Sequence, residues 1–181
     1  MSLRIGTSGW NYPSGRGTWN GLFYPARRSK RAGTAPFDEL RFYAEHFDTV
    51  EVNSTFYGVP RAEVTSGWAS RTPPGFEFSV KLYQKFTHPK MFREAALRSA
   101  PGAGGSLLAL MAQITHSDVD DFKTGIEPLA SAAKLGALLA QFPASFKATD
   151  ETRDFLASLM RAFADYPVAV ELRHRSWSDE L

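Results

Sequence analysis

The sequence predicts a parallel α/β fold, and three observations predict it. Apolar runs of strand length alternate with segments of helical periodicity along the whole chain. Within the strand-like runs, polar and apolar residues alternate with a period of two. The helix-like segments begin with capping residues and carry apolar stripes at three- and four-residue spacing. A length of 181 residues suits one domain, here residues 1–181, with a substantial core.

The first predicted strand is Leu3 to Ser8, ended by Gly9, and a loop rich in Gly, Trp, Tyr and Pro runs from there to about Gly33. The first helix takes Thr34 as its N-cap, Pro36 near its start and Asp38-Glu39 in its first turn. Its Phe37, Leu40, Ala44 and Phe47 lie at helical spacing. The second strand is Thr49 to Ser54, and the second helix is Arg61 to Arg71, with Val64 and Trp68 four apart and Pro73-Pro74 as its stop. The third strand is Phe76 to Leu82. Residues 83–118 read as an insertion or long loop, and its Gly-rich stretch Pro101 to Ser106 suits a linker better than a phosphate cradle. A helix from Val119 to Lys134, capped by Ser117 and bent at Pro128, leads to the fourth strand, Gly136 to Phe142. The next helix starts at Thr149 with Asp150-Glu151 behind it and Phe155, Leu156, Leu159, Met160 and Phe163 as its stripe. The fifth strand is Pro167 to Arg173, and Ser176 to Glu180 reads as the first turn of another helix.

Composition narrows the function. Lys plus Arg is 21 and Asp plus Glu is 19, so a net charge of +2 gives no bulk reason to bind nucleic acid or membrane. The chain has no cysteine, which excludes disulfides, thiolate zinc sites and a cysteine nucleophile. No apolar run approaches a bilayer span and the first residues carry no apolar leader, so no membrane partner and a cytoplasmic location are expected. Gly15, Gly17 and Gly21 do not have the G-x-G-x-x-G spacing, and about 25 residues separate the first strand from its helix, which argues against a dinucleotide-binding sheet. A barrel and an open doubly wound sheet remain the two closures.

The alternation places the polar residues. On the second strand Val50 and Val52 share one face and Glu51 and Asn53 the other. On the third, Phe76, Phe78, Val80 and Leu82 oppose Glu77, Ser79 and Lys81; on the fifth, Val168, Val170 and Leu172 oppose Ala169, Glu171 and Arg173. The fourth strand offers Gln141 near its end. If the apolar set packs under helices, the polar set of a barrel points inward and opens at the C-terminal mouth, where barrel active sites lie. Unpaired buried charge is costly, so these groups pair with each other or with a ligand. Glu51, Glu171, Lys81, Arg173 and His88 are the candidate catalytic residues. Trp10, Tyr12, Asn53, Tyr57, Gln141 and His174 are the candidate substrate-binding residues. Glu51 or Glu171 suits general acid–base work, and Lys81 and Arg173 suit an anionic group.

Histidines beside carboxylates also raise a divalent metal, but Lys81 and Arg173 neutralise those carboxylates and no H-E-x-x-H spacing occurs, so a metal is not favoured and no cofactor is assigned. The basic run Arg27 to Arg31 adds nucleic acid to the small anionic and sugar ligands considered. The reading is a hydrolase acting on a phosphate- or sugar-containing ligand. A non-catalytic ligand-binding barrel and an inactive fragment of a longer barrel are the alternatives.

The runs "GTSGW" (Gly6–Trp10) with "FYP" (Phe23–Pro25), "EVNSTFY" (Glu51–Tyr57), Val80-Lys81 with Thr87-His88, "LLAQFPASF" (Leu138–Phe146) and "VAVELRHRSW" (Val168–Trp177) together resemble the YecE-like family, domain of unknown function 72. The motifs occur in order over essentially the whole chain. The resemblance implies a TIM-like barrel with these residues lining its mouth. Members continue beyond the "RHRSW" element, so the expectation is a (β/α) barrel truncated after about five strands, with an open sheet edge through which the chain could self-associate.

Overall fold

The computed structural model describes residues 3–11, 17–26, 37–88, 91 and 114–178. Among these, β1 (Gly6–Ser8), β2 (Thr49–Val52), β3 (Glu77–Lys81), β4 (Leu135–Gln141) and β5 (Val168–Glu171) form one sheet. Every pairing is parallel and the order is β1-β2-β3-β4-β5. A doubly wound sheet reverses its strand order at a switch point, and this one does not. Successive crossovers of one hand, all stepping the same way, keep the helices on a single face.

The helices given by the described residues include α1 (Glu39–Ala44), α2 (Ser54–Tyr57), α3 (Ala62–Arg71), α4 (Gln84–Thr87), α5 (His116–Ser131) and α6 (Asp150–Ala162), with a 3-10 turn at Arg175–Trp177 after the last strand. The predicted alternation holds. Val50, Val52, Phe78, Val80, Leu138 and Ala140 are buried beneath the helices. Against them pack Leu40 and Tyr43 of α1, Trp68 of α3, and Val119, Phe122, Ile126 and Leu129 of α5. Phe86, Phe122 and Phe163 meet edge to face at 5.6–6.0 Å, the favoured geometry of aromatic pairs.

Several boundaries differ from the sequence expectation. β1 starts at Gly6, and Leu3 and Ile5 are exposed. Asp38, whose carboxylate accepts from Arg41 N, is the N-cap of α1, and Phe37 lies outside the helix. The expected cap Thr34 falls outside the described residues, as does the Gly-rich stretch Pro101 to Ser106. Strand two gives way at Asn53 to the unexpected α2, and the segment read as a long loop holds α4. On α3, Trp68 is buried but Val64 is exposed; Thr65, one residue on, faces the core instead. α5 is capped by Thr115 and not by Ser117: Asp118 N donates to Thr115 Oγ1 at 3.2 Å, and Asp118 Oδ2 accepts from Thr115 N at 2.7 Å. That helix ends at Ser131, so Lys134 is not in it; its buried ammonium caps the C-terminus of α3, donating to Ala69 O at 2.7 Å and Thr72 O at 2.5 Å. Thr149 caps α6 as expected.

α5 and α3 approach closely where α5 has no side chain. A Cβ on Gly125 would lie 2.0 Å from the Pro60 carbonyl oxygen, and the Thr65 hydroxyl donates to Gly125 O at 2.7 Å. At Gly67 of α3, by contrast, an added methyl would have nothing within 4 Å. Gly125→Ala is expected to destabilise the protein by about 1–3 kcal/mol through overpacking. Gly67→Ala is expected to stabilise it by about 0.5–1 kcal/mol through helix propensity. Urea midpoints of both variants check the pair of signs.

Candidate functional site

The strands end in step. Ser8 is in register with Glu51 and Glu51 with Ser79; Lys81 is in register with Leu139, and Gln141 with Glu171. The polar members of this series share the face away from the helices. On β4 this depends on an irregularity. Leu135 pairs with Phe78 but Ala137 pairs with Ser79, so Gly136 is an extra residue. Such a bulge re-aims the side chains beyond it. Leu135 packs against the core, whereas Gln141 joins Lys81 on the polar face.

At the β1–β2 end, Asn53 Nδ2 donates to Ser8 Oγ, and Ser8 Oγ donates to Glu51 Oε1 at 3.0 Å. α2 begins at the next residue. Its buried Thr55 donates to Lys81 O at 2.6 Å, tying β2 to β3. Its buried Phe56 places a ring 4.8 Å from the Lys81 ammonium, a cation–π contact.

At the β3–β5 end, four side chains form one chain. Lys81 Nζ donates to Gln141 Oε1 at 2.6 Å. Gln141 Nε2 donates to Glu171 Oε2 at 2.5 Å. Arg173 Nε donates to Glu171 Oε1 at 2.6 Å. The Gln141 amide and then the Arg173 guanidinium hold the Glu171 carboxyl below the usual carboxylate range, against the smaller upward pull of burial. Arg173 and Glu171 are 48% and 43% exposed, so their ion pair contributes little stability and serves to orient the guanidinium.

His88 comes directly after α4. Its Nδ1 shares a hydrogen bond of 2.9 Å with the Thr87 hydroxyl, and its ring stands edge-on to Phe56 at 4.9 Å. Burial, then the charges of Lys81 and Arg173, lower its pKa from the ordinary histidine value. A neutral imidazole therefore faces two fixed cations.

Glu51, Asn53, Lys81, Gln141, Glu171, Arg173 and His88 are thus brought to one end of the sheet. The other candidates are not all with them. Trp10 turns toward the helices and packs edge-to-face on Trp68 at 5.5 Å, so it does not stack in the mouth. Tyr57 is 72% exposed, edge-on to Phe56. His174 caps the 3-10 turn, its Nδ1 accepting from Ser176 N at 3.1 Å, so it serves local structure. Tyr12 and the basic run Arg27 to Arg31 lie outside the described residues. Among the described residues, no three His, Asp or Glu side chains gather as a metal site would require. None of the helices described is long and apolar enough to cross a membrane. At the opposite end of the same face, Arg4 pairs with Glu77 at 2.6 Å. Ser8 and Thr87 belong to the motifs that carry the family resemblance, but neither was given a role of its own from sequence. The parity of β1 carries a local signal for Ser8; strand or helix periodicity carries none for Thr87, which bonds the next residue at the end of a short helix.

The profile of the family described as "Protein of unknown function DUF72" matches residues 4–181. The UPF0759 protein YunF of Bacillus subtilis is 28% identical over 175 residues, covering 97% of this chain and 52% of YunF. The UPF0759 protein YecE of Escherichia coli K12 is 32% identical over 139 residues, covering 75% of this chain and 41% of YecE. A crystal structure of a DUF72 family protein from Thermotoga maritima superposes with a TM-score of 0.69 at 30% identity, covering 98% of this chain and 58% of that one. One from Enterococcus faecalis has a TM-score of 0.69 at 24% identity and covers 98% and 53%. The chain spans about half the length of the curated relatives it matches. It belongs to the DUF72 family.

Replacing Lys81 by Met removes one of the two charges that lower the His88 pKa. The His88 titration midpoint, measured from imidazole NMR signals, is expected to rise toward the ordinary histidine value in Lys81→Met and to stay low in the wild type.

Proposed function

We propose that this DUF72 family member forms the wall of a TIM-like (β/α) barrel and is a hydrolase. Its ligand is phosphate- or sugar-containing and binds at the C-terminal ends of β1 to β5, with the cytoplasm as the compartment. Nucleic acid falls within the same ligand chemistry. Further strands, or a second copy, would meet the sheet at β1 or β5, the edge strands of the described sheet.

The observation that carries this reading is the chain from Lys81 through Gln141 and Glu171 to Arg173. It holds a cation at each end of a polar row that lies where barrel enzymes bind their substrates. The row also separates the roles of the two acids. A carboxylate already held by two donors has less freedom to move a proton. Glu171 is held below the usual range by its two donors, so it positions Gln141 and Arg173. Among the described residues Glu51 accepts from one hydroxyl, that of Ser8, which leaves Oε2 for the reaction. In hydrolysis it takes a proton from the attacking water and returns it to the leaving oxygen. Lys81 and Arg173 meanwhile take up the negative charge of the transition state.

Glu51→Gln is expected to lower turnover of bis(p-nitrophenyl) phosphate or of a p-nitrophenyl glycoside by about 100-fold or more with folding unchanged by circular dichroism. Lys81→Met is expected to raise KM. Activity that survives both changes rules the assignment out, and binding without turnover in the wild type supports a ligand-binding barrel instead.

A further inference from the structure

The two ends of this polar face offer opposite chemistry. At β1–β2 the hydrogen bonds run from Asn53 through Ser8 to Glu51. They consume one amide N–H and the hydroxyl proton, and they leave Asn53 Oδ1 and Glu51 Oε2 as acceptors with no partner among the described residues. At β3–β5 the unused capacity of the cations is donor: among the described residues Arg173 spends Nε on Glu171 and keeps its terminal nitrogens, and Lys81 spends one proton on Gln141. His88 adds an Nε2 that donates when Nδ1 accepts from the Thr87 hydroxyl. Glu51 is level with Ser79 on β3, so Lys81 lies one strand across and two residues further along, on the same face. A strand spacing of about 4.8 Å and a rise of about 3.3 Å per residue put their backbones about 8 Å apart. Tyr57, at the end of the short helix that Asn53 leads into, is 72% exposed.

We propose that this site takes a phosphorylated sugar, with the phosphate on Lys81, Arg173 and His88 and the sugar hydroxyls donating to Glu51 and Asn53. A sugar presents hydroxyl donors, which suit a row of acceptors, and its phosphate presents acceptors, which suit a row of cations. The inference rests on the reading that the mouth binds an anionic ligand, and it adds that the two halves are read together. Ser8 sets the acceptor half by holding both neighbours, and Gln141 and Glu171 set the donor half.

The test is calorimetric titration of the full chain with a panel of pentose and hexose monophosphates, the corresponding free sugars, and inorganic phosphate. At least one sugar phosphate is expected to bind about tenfold or more tightly than inorganic phosphate. Asn53→Leu and Glu51→Gln are each expected to remove that advantage, and Lys81→Met to weaken both ligands. Asn53 makes no cap bond to α2, so its replacement leaves the helix start intact, and circular dichroism verifies this for each variant. Sugar phosphates that bind no tighter than phosphate, or an advantage that survives both acceptor-side changes, overturn the inference while leaving the anion site standing. No binding of phosphate or of any sugar phosphate overturns the anion site itself.

Discussion

A strand has two faces, and a parallel sheet with its helices on one side commits one of them completely. In this chain Val50, Val52, Phe78, Val80, Leu138 and Ala140 are spent on the helical layer. Whatever ionises on the strands must go to the other side, and there it is concentrated because neighbouring strands stand in register. The pairing climbs along the sheet, from Glu51 on β2 to Lys81 on β3, then Gln141 and Glu171 on β4 and β5. Each of these polar side chains therefore finds a partner on a neighbouring strand and does not bear its desolvation alone. Site and core are two outcomes of one periodicity.

Gln141 is the member of the row whose chemistry is hardest to replace. An amide accepts and donates at once, so it can take a hydrogen bond from the Lys81 ammonium and offer one to the Glu171 carboxylate. A direct lysine–glutamate pair would neutralise both charges in place. With the amide between them, the lysine is not neutralised in place and rests on the Phe56 ring. The same arrangement keeps positive charge near His88, which accounts for part of its reluctance to protonate; burial accounts for the larger part.

Much of this was legible in the sequence, for identifiable reasons. The Val-Glu-Val alternation at β2 and the Thr149 cap are local signals, read over a few residues. The short helices α2 and α4 were not legible, because four residues show no helical period. At α5 two capping frames compete, Thr115 with Asp118 and Ser117 with Asp120. The Lys85 ammonium, 2.7 Å from Asp118, favours the first, and it comes from another element. His174 sat next to the site in sequence, but its ring turned back to cap its own turn. Which face a residue takes was written locally; which partner it finds was decided by strands and helices remote in sequence.

The extra residue at Gly136 shows how thin this arrangement is. Its presence lets Leu135 sit with the helices and Gln141 with the charges, although the two are separated by an even number of positions on one strand. Shortening β4 by that single glycine would rotate everything after it through half a turn of the pleat. A glutamine would then be pressed into oil and the lysine–glutamate bridge would lose its middle span. A silent-looking indel several residues upstream of Gln141 would thus abolish the polarity of this face without touching any side chain of the row.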